Sequence, residues 1–116
     1  MSDKFDKAMF DFCKKLTIDG LKSFERFDHI KGVVFKSDGG RKYIKVKYWE
    51  TREHDGEVRT DTNGRIHCFV ESTTGDIYKP ASWRAPHLKG AAVRGNIFDK
   101  STFEKTDPHG GWLYKR

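Results

Sequence analysis

Four cations follow one another between Lys79 and Arg94 with no acid among them. The segment from Ile77 to Phe98 reads IYKPASWRAPHLKGAAVRGNIF; it holds Lys79, Arg84, Lys89 and Arg94 and neither Asp nor Glu. Cations without a counter-charge create a local positive field, and such a field suits phosphates. Tyr78, Trp83 and His87 are interleaved with them, and aromatic faces stack on bases. Ser82, Gly90 and Gly95 give backbone N–H groups room to approach an anion. The plainer reading is a structural arm, with Trp83 and Phe98 packed on a sheet and the cations solvated. Trp83, between Pro80 and Pro86, is well placed to pin such an arm, leaving binding to its charged neighbours.

A second group lies in RKYIKVKYWE, residues 41–50, which alternates. Ile44, Val46 and Tyr48 fall on one side of a strand; Tyr43, Lys45, Lys47 and Trp49 fall on the other. The first set suits a core. The second resembles the basic, aromatic platform on which single-strand binders stack bases, although strands also carry such residues on a solvated face through propensity alone. The candidate ligand-binding residues are therefore Lys79, Trp83, Arg84, Lys89 and Arg94, with Tyr43, Lys45, Lys47 and Trp49.

Catalytic signals are sparse. H-E-x-x-H, G-x-S-x-G and the phosphate-binding G-x-x-x-x-G-K-[ST] are all missing from the sequence. The acidic run Glu50–Glu57 with His54 reads as a solvated turn and not as a cation site. Glu71, Asp76 and Lys79 are the nearest approach to a nuclease centre, which needs clustered carboxylates for Mg²⁺. The sequence thus predicts no enzyme, no cofactor and no metal, with a small metal-dependent nuclease as the minor alternative. Cys13 and Cys68 lack ligand spacing and are expected to be reduced, buried apolar residues.

The run HCFVESTTGDIYKPASWRAP, residues 67–86, followed by RGNIF at 94–98, resembles a group of small uncharacterised phage-type proteins. These carry a strand, a T-G-D turn, K-P-A-S-W-[KR]-A-P and then R-G-N-I-F. The resemblance covers about a third of the chain, with a weaker echo in the Gly-rich aromatic tail. His87-Leu88 depart from it, standing where a small or basic residue follows the Ala-Pro. It implies a viral origin and assigns no activity.

The elements that must position these residues are legible in outline. Phe5, Met9, Phe12 and Leu16 recur at helical spacing, predicting an amphipathic helix over 2–16 capped by Ser2 or Asp3. Residues 17–31 suit a second short helix or an irregular turn, set apart by Gly20. Val33–Phe35 is a short apolar run, and Ser37-Asp38-Gly39-Gly40 is a turn. Residues 51–62 read as a strand end or a mobile loop. Asn63-Gly64 is a hairpin signal leading into a strand over 65–72, in which Ile66, Cys68 and Val70 oppose His67, Phe69 and Glu71. Thr73–Asp76 turns into a strand at 77–79 that Pro80 ends. Residues 81–116 read as an irregular basic and aromatic arm, with Trp112-Leu113-Tyr114 docking back on the sheet.

Composition bounds the whole. The chain has 116 residues, 35% hydrophobic and 34% charged, with nine Phe, four Tyr and three Trp. That is one domain's worth, with aromatics compensating for few aliphatics. The net charge of +6, from 23 basic and 17 acidic residues, favours anionic partners. No run of about 18 apolar residues predicts a membrane span, and the charged MSDKFDKAMF start lacks a signal core, so a cytoplasmic setting is expected. The resulting picture is α+β: a single domain, 1–116, with an antiparallel meander of three or four strands over 33–80 and the N-terminal helix packed on one face. Its expected role is binding a phosphate-bearing ligand, nucleic acid first. The alternatives are a small, cyclic-nucleotide signal of host defence or a host protein to be inhibited.

Overall fold

The alternation of residues 43–48 becomes the two faces of a twisted sheet. The computed structural model describes residues 3–24, 29–90 and 92–114; Ser2 and residues 25–28 of the 17–31 stretch, named above, lie outside them. A helix, α1 (Asp3–Phe24), precedes six strands: β1 (Ile30–Ser37), β2 (Tyr43–His54), β3 (Glu57–Thr60), β4 (Arg65–Glu71), β5 (Asp76–Tyr78) and β6 (Val93–Asn96). A short helix, α2 (Lys100–Lys105), and a single 3-10 turn, Gly111–Leu113, follow. The strands pair antiparallel in the order β1-β2-β4-β5-β6, and β3 pairs with the far half of β2. The fold is α+β as expected, with more strands than the three or four predicted. Among the described residues no helix is long and apolar enough to cross a membrane.

Phe5, Met9, Phe12, Cys13 and Leu16 of α1 pack on Val33, Phe35, Ile44, Val46, Cys68, Val70 and Ile77. The helix does not stop at residue 16. It runs through Gly20, because that glycine is a site of contact and not a break: a Cβ there would stand 2.8 Å from Val33 Cγ1. α1 also covers the free edge of β1. Thr17 Oγ1 accepts the Phe35 N–H at 2.9 Å and donates to the Cys13 carbonyl at 2.9 Å, and the Ser37 backbone hydrogen-bonds Cys13. At these positions the edge is closed to strand addition. Both cysteines are free and buried, and burial pushes the Cys13 thiol up to about 12.

Two further departures have local causes. Residues 51–60 form a hairpin: the strand-end reading holds for 51–54, where β2 continues, and the mobile loop is replaced by β3. Asp55 (φ 51°) and Gly56 (φ 81°) both sit in the left-handed region, the conformation of a two-residue turn whose twist matches its strands. Residues 93–113 form β6, α2 and the 3-10 turn and not an irregular arm. Asp99 Oδ1 caps α2 by accepting from Ser101 N, and Trp112 (4% exposed) and Leu113 (1%) complete the core. The tail does dock back.

A register shift in the β2–β4 pairing puts Cys68 opposite Val46 but Ile66 opposite Lys47, leaving His67 as the extra residue of a bulge. The expected alternation of β4 therefore breaks there, and His67 enters the core. Its ring lies 5.2 Å from Phe35 and 6.1 Å from Trp112, centroid to centroid. Trp112 Nε1 donates to His67 Nε2 at 3.3 Å, which requires a neutral ring. Burial lowers its pKa from 6.5 to about 4, against a smaller opposing pull from Asp107. Because the folded value lies below the unfolded one, the unfolded chain binds the proton first as pH falls. Stability is complete above about pH 6.5 and is lost towards pH 4, by roughly 3 kcal/mol in all. Urea denaturation at a series of pH values should show this decline. His67→Phe should be less stable at pH 7, with the Trp112 N–H left unpaired, but should lose the dependence between pH 6.5 and 5.

Candidate functional site

The outward side chains of β2 do not face open water. Phe69 stands opposite Lys45 and is 1% exposed; Tyr78 stands opposite Phe69 and is 9% exposed. The segment after β5 folds over them. Pro80 and Pro86 form an isolated antiparallel bridge. Ala81 N and Ser82 N both donate to the Ala85 carbonyl, and His87 N donates to the Lys79 carbonyl at 2.9 Å. Ser82 Oγ accepts from Arg84 N at 3.2 Å. These bonds make residues 79–87 a closed loop with Trp83 and Arg84 at its tip.

Trp83 lies over two lysines of β2. Lys47 Nζ is 4.6 Å and Lys45 Nζ 5.5 Å from its ring centroid. On the other side Lys47 is 5.3 Å from the Trp49 ring. The Lys47 side chain is only 9% exposed, and its ammonium donates to Asp38 Oδ2 at 2.8 Å. Trp49 is held in turn: a Cβ on Gly64 would come 2.6 Å from its Cε2. The two groups of candidates, 30 or more residues apart in sequence, thus meet at Trp83. Lys45, Lys47, Trp49 and Trp83 are in contact.

The other candidates stand apart from that contact. Tyr43 packs edge-on to Tyr78 at 5.9 Å. Lys79 lies over the Tyr114 ring at 4.9 Å. Arg84 is exposed beside Trp83, and Lys89 is exposed further along. Arg94 is half-buried in β6, its Nε shielded from solvent without a hydrogen-bond partner. Lys45, Lys79, Arg84 and Lys89 have no carboxylate partner among the described residues. Sequence reasoning reaches Asp38 and Gly64 only as turn residues and Tyr114 only as part of the docking tail, and nothing local announces the ion pair of Asp38 with Lys47.

Trp83 is 47% exposed, so it is not the core anchor that its place between two prolines suggests. Its ring meets the two ammonium groups, and about half of the residue stays open to solvent. The cluster can therefore offer an aromatic face with positive charge beneath and beside it.

The acidic candidates are otherwise engaged. Glu50 bonds Arg52 at 2.8 Å, Glu57 bonds Arg59, and Glu71 Oε2 accepts from Thr74 Oγ1. Asp76 Oδ1 accepts from Asn96 Nδ2 at 3.0 Å, and Asn96 Nδ2 also donates to the Thr74 carbonyl. Ile97 N donates to the Gly75 carbonyl, and Gly75, at φ 79°, lies where any Cβ would strike Phe98. The T-G-D and R-G-N-I-F motifs are thus two halves of one clasp between the β4–β5 turn and the end of β6. Among the described residues no three His, Cys, Asp or Glu side chains gather to hold a metal ion.

The chain belongs to a family of unknown function, DUF7717, whose model matches residues 2–115. No curated protein and no solved structure matches it.

The packing of the cluster makes its own prediction. Removing Asp38 strands a buried ammonium, whereas replacing Lys47 by an apolar residue of similar length removes the charge altogether. Asp38→Ala should thus destabilise the protein by about 1–3 kcal/mol, more than Lys47→Met does, in thermal or urea melts. Trp83→Ala should cost about 1–2 kcal/mol, the scale of a partly desolvated cation–π contact and not of a core cavity. Equal losses for Asp38→Ala and Lys47→Met would contradict the account of the pair.

Proposed function

We propose that this member of the family binds a phosphate-bearing polymer, single-stranded nucleic acid, on the face formed by β2 and the 79–87 loop, without turnover. The observation that carries the reading is the half-exposed indole of Trp83 seated on Lys45 and Lys47. Base stacking needs an accessible aromatic face held in place, and phosphates need cations not already neutralised. Trp83 is the stacking face. Lys45, Arg84 and Lys79 are the phosphate contacts. Lys47 is structural, because its charge is committed to Asp38. Trp49 extends the aromatic surface along the strand.

A polymer is favoured over a small nucleotide. A mononucleotide signal would need enclosure to bind tightly, and Trp83 stands at an exposed loop tip. The setting that fits is the cytoplasm, of an infected cell if the phage-type resemblance of residues 67–98 carries over.

Fluorescence titration with labelled single- and double-stranded oligonucleotides at low and moderate salt tests the reading. Single strands should bind more tightly, with affinity falling as salt rises. Trp83→Ala should weaken binding by about 1–3 kcal/mol, and Arg84→Glu should weaken it several-fold with an unchanged melting temperature. Absence of binding at low salt, or binding that ignores both substitutions, would remove this face from any nucleic-acid role.

A further inference from the structure

A groove of about 710 Å³ runs between α1 and β1. It is lined on the helix side by Met9, Phe10, Cys13 and Ile18, with Val34 and Phe35 on the strand side. Phe10 at its rim is 65% exposed, and Ile18 and Leu21 on the same helix are 43% and 47% exposed. These residues form a second apolar stripe on α1, separate from the one that faces the core. A helix with two such stripes has one more surface to cover than the monomer supplies.

The charges beside Phe10 indicate what covers it. Asp6 lies four residues before Phe10 and Lys14 four residues after it, so all three share one face of α1. Both Asp6 and Lys14 line the groove, and neither has a charged partner among the described residues. By contrast, Lys7 and Lys15 on the same helix are paired, with Asp11 and Asp19. Opposite charges at equal distances on either side of an exposed aromatic residue are self-complementary. If a second helix of the same sequence runs antiparallel across Phe10, each Asp6 meets the other copy's Lys14, and the two Phe10 rings meet on the axis.

We propose that a second copy of this chain occupies the groove, the two α1 helices packing antiparallel about a two-fold axis at Phe10. The interface is isologous, so each contact occurs twice. The two Phe10 rings then pack on each other at the axis, and two Asp6–Lys14 pairs fix the direction of the helices. The Phe35 and Ser37 end of β1 contributes no strand pairing, because Thr17 and Cys13 already hold its backbone there. This assembly is independent of the nucleic-acid reading, since it leaves Trp83 and Arg84 outside the interface.

Sedimentation velocity across a wide concentration range tests the proposal. The wild-type chain should form a concentration-dependent dimer. Phe10→Ser should be monomeric and melt like the wild type at low concentration, because the ring is exposed in the monomer. Asp6→Lys and Lys14→Asp alone should each weaken the dimer roughly tenfold, the effect being doubled by symmetry. Asp6→Lys with Lys14→Asp in one chain remakes both pairs in reverse and should restore the dimer. A wild-type monomer at every concentration would overturn the proposal, as would a dimer indifferent to Phe10→Ser. So would a double exchange no better than either single change, since that would leave the dimer to some other surface.

Discussion

A lysine buried in the middle of a sheet face needs its charge met, and that need organises one side of this protein. Lys47 points away from the core, yet its side chain is 9% exposed. An ammonium withdrawn from water is tolerated only with close, favourable partners. Three converge on it: Asp38 from the β1–β2 turn, Trp49 two residues along the same strand, and Trp83 from the loop after β5. Each has its own support, in the turn, in Gly64 and in the Pro80–Pro86 bridge. The same lysine that fixes the loop thus fixes the aromatic surface that the loop presents.

The other face follows from the same strand read one residue out of phase. Ile44 and Val46 are nearly inaccessible, and α1 closes over them. One alternating run of residues therefore commits both the core and the candidate site. A slip of a single residue would exchange them, placing lysines in the core. The bulge at His67 makes the one local adjustment: it swings an imidazole into the core, where Trp112 needs an acceptor.

Much of this was legible in the sequence, and the failures have physical reasons. Period-two patterning in residues 43–49 located both faces, and the docking of Trp112 and Leu113 followed from their apolar character. Gly20 reads as a break because a glycine in a helix signals equally a break or a close approach, and only the position of Val33 decides. Two hairpin signals have opposite outcomes: Asp55-Gly56, set amid dense charge, makes the tight turn between β2 and β3, whereas Asn63-Gly64 joins no hairpin, because β3 and β4 both pair with β2 and not with each other. β6 carries no alternation strong enough to be seen: Val93 is exposed, Arg94 half-buried and Gly95 lacks a side chain. The union of Lys45, Lys47 and Trp83 is a tertiary fact, and the sequence showed its two halves as separate candidates. The T-G-D and R-G-N-I-F motifs were visible as words but not as a clasp, since Asn96 bridges 20 residues or more to reach Thr74 and Asp76.

The three tryptophans allow the central claim to be tested within one molecule. Each indole N–H gives its own cross-peak in a ¹H–¹⁵N correlation spectrum. Trp49 and Trp83 belong to the cluster, while Trp112 is buried on the opposite face with its N–H held by His67. On titration with a single-stranded oligonucleotide at low salt, the Trp83 and Trp49 peaks should shift and the Trp112 peak should stay in place. Saturating binding that leaves the Trp83 and Trp49 peaks unmoved would contradict the account, because the nucleic acid would then lie elsewhere on the protein.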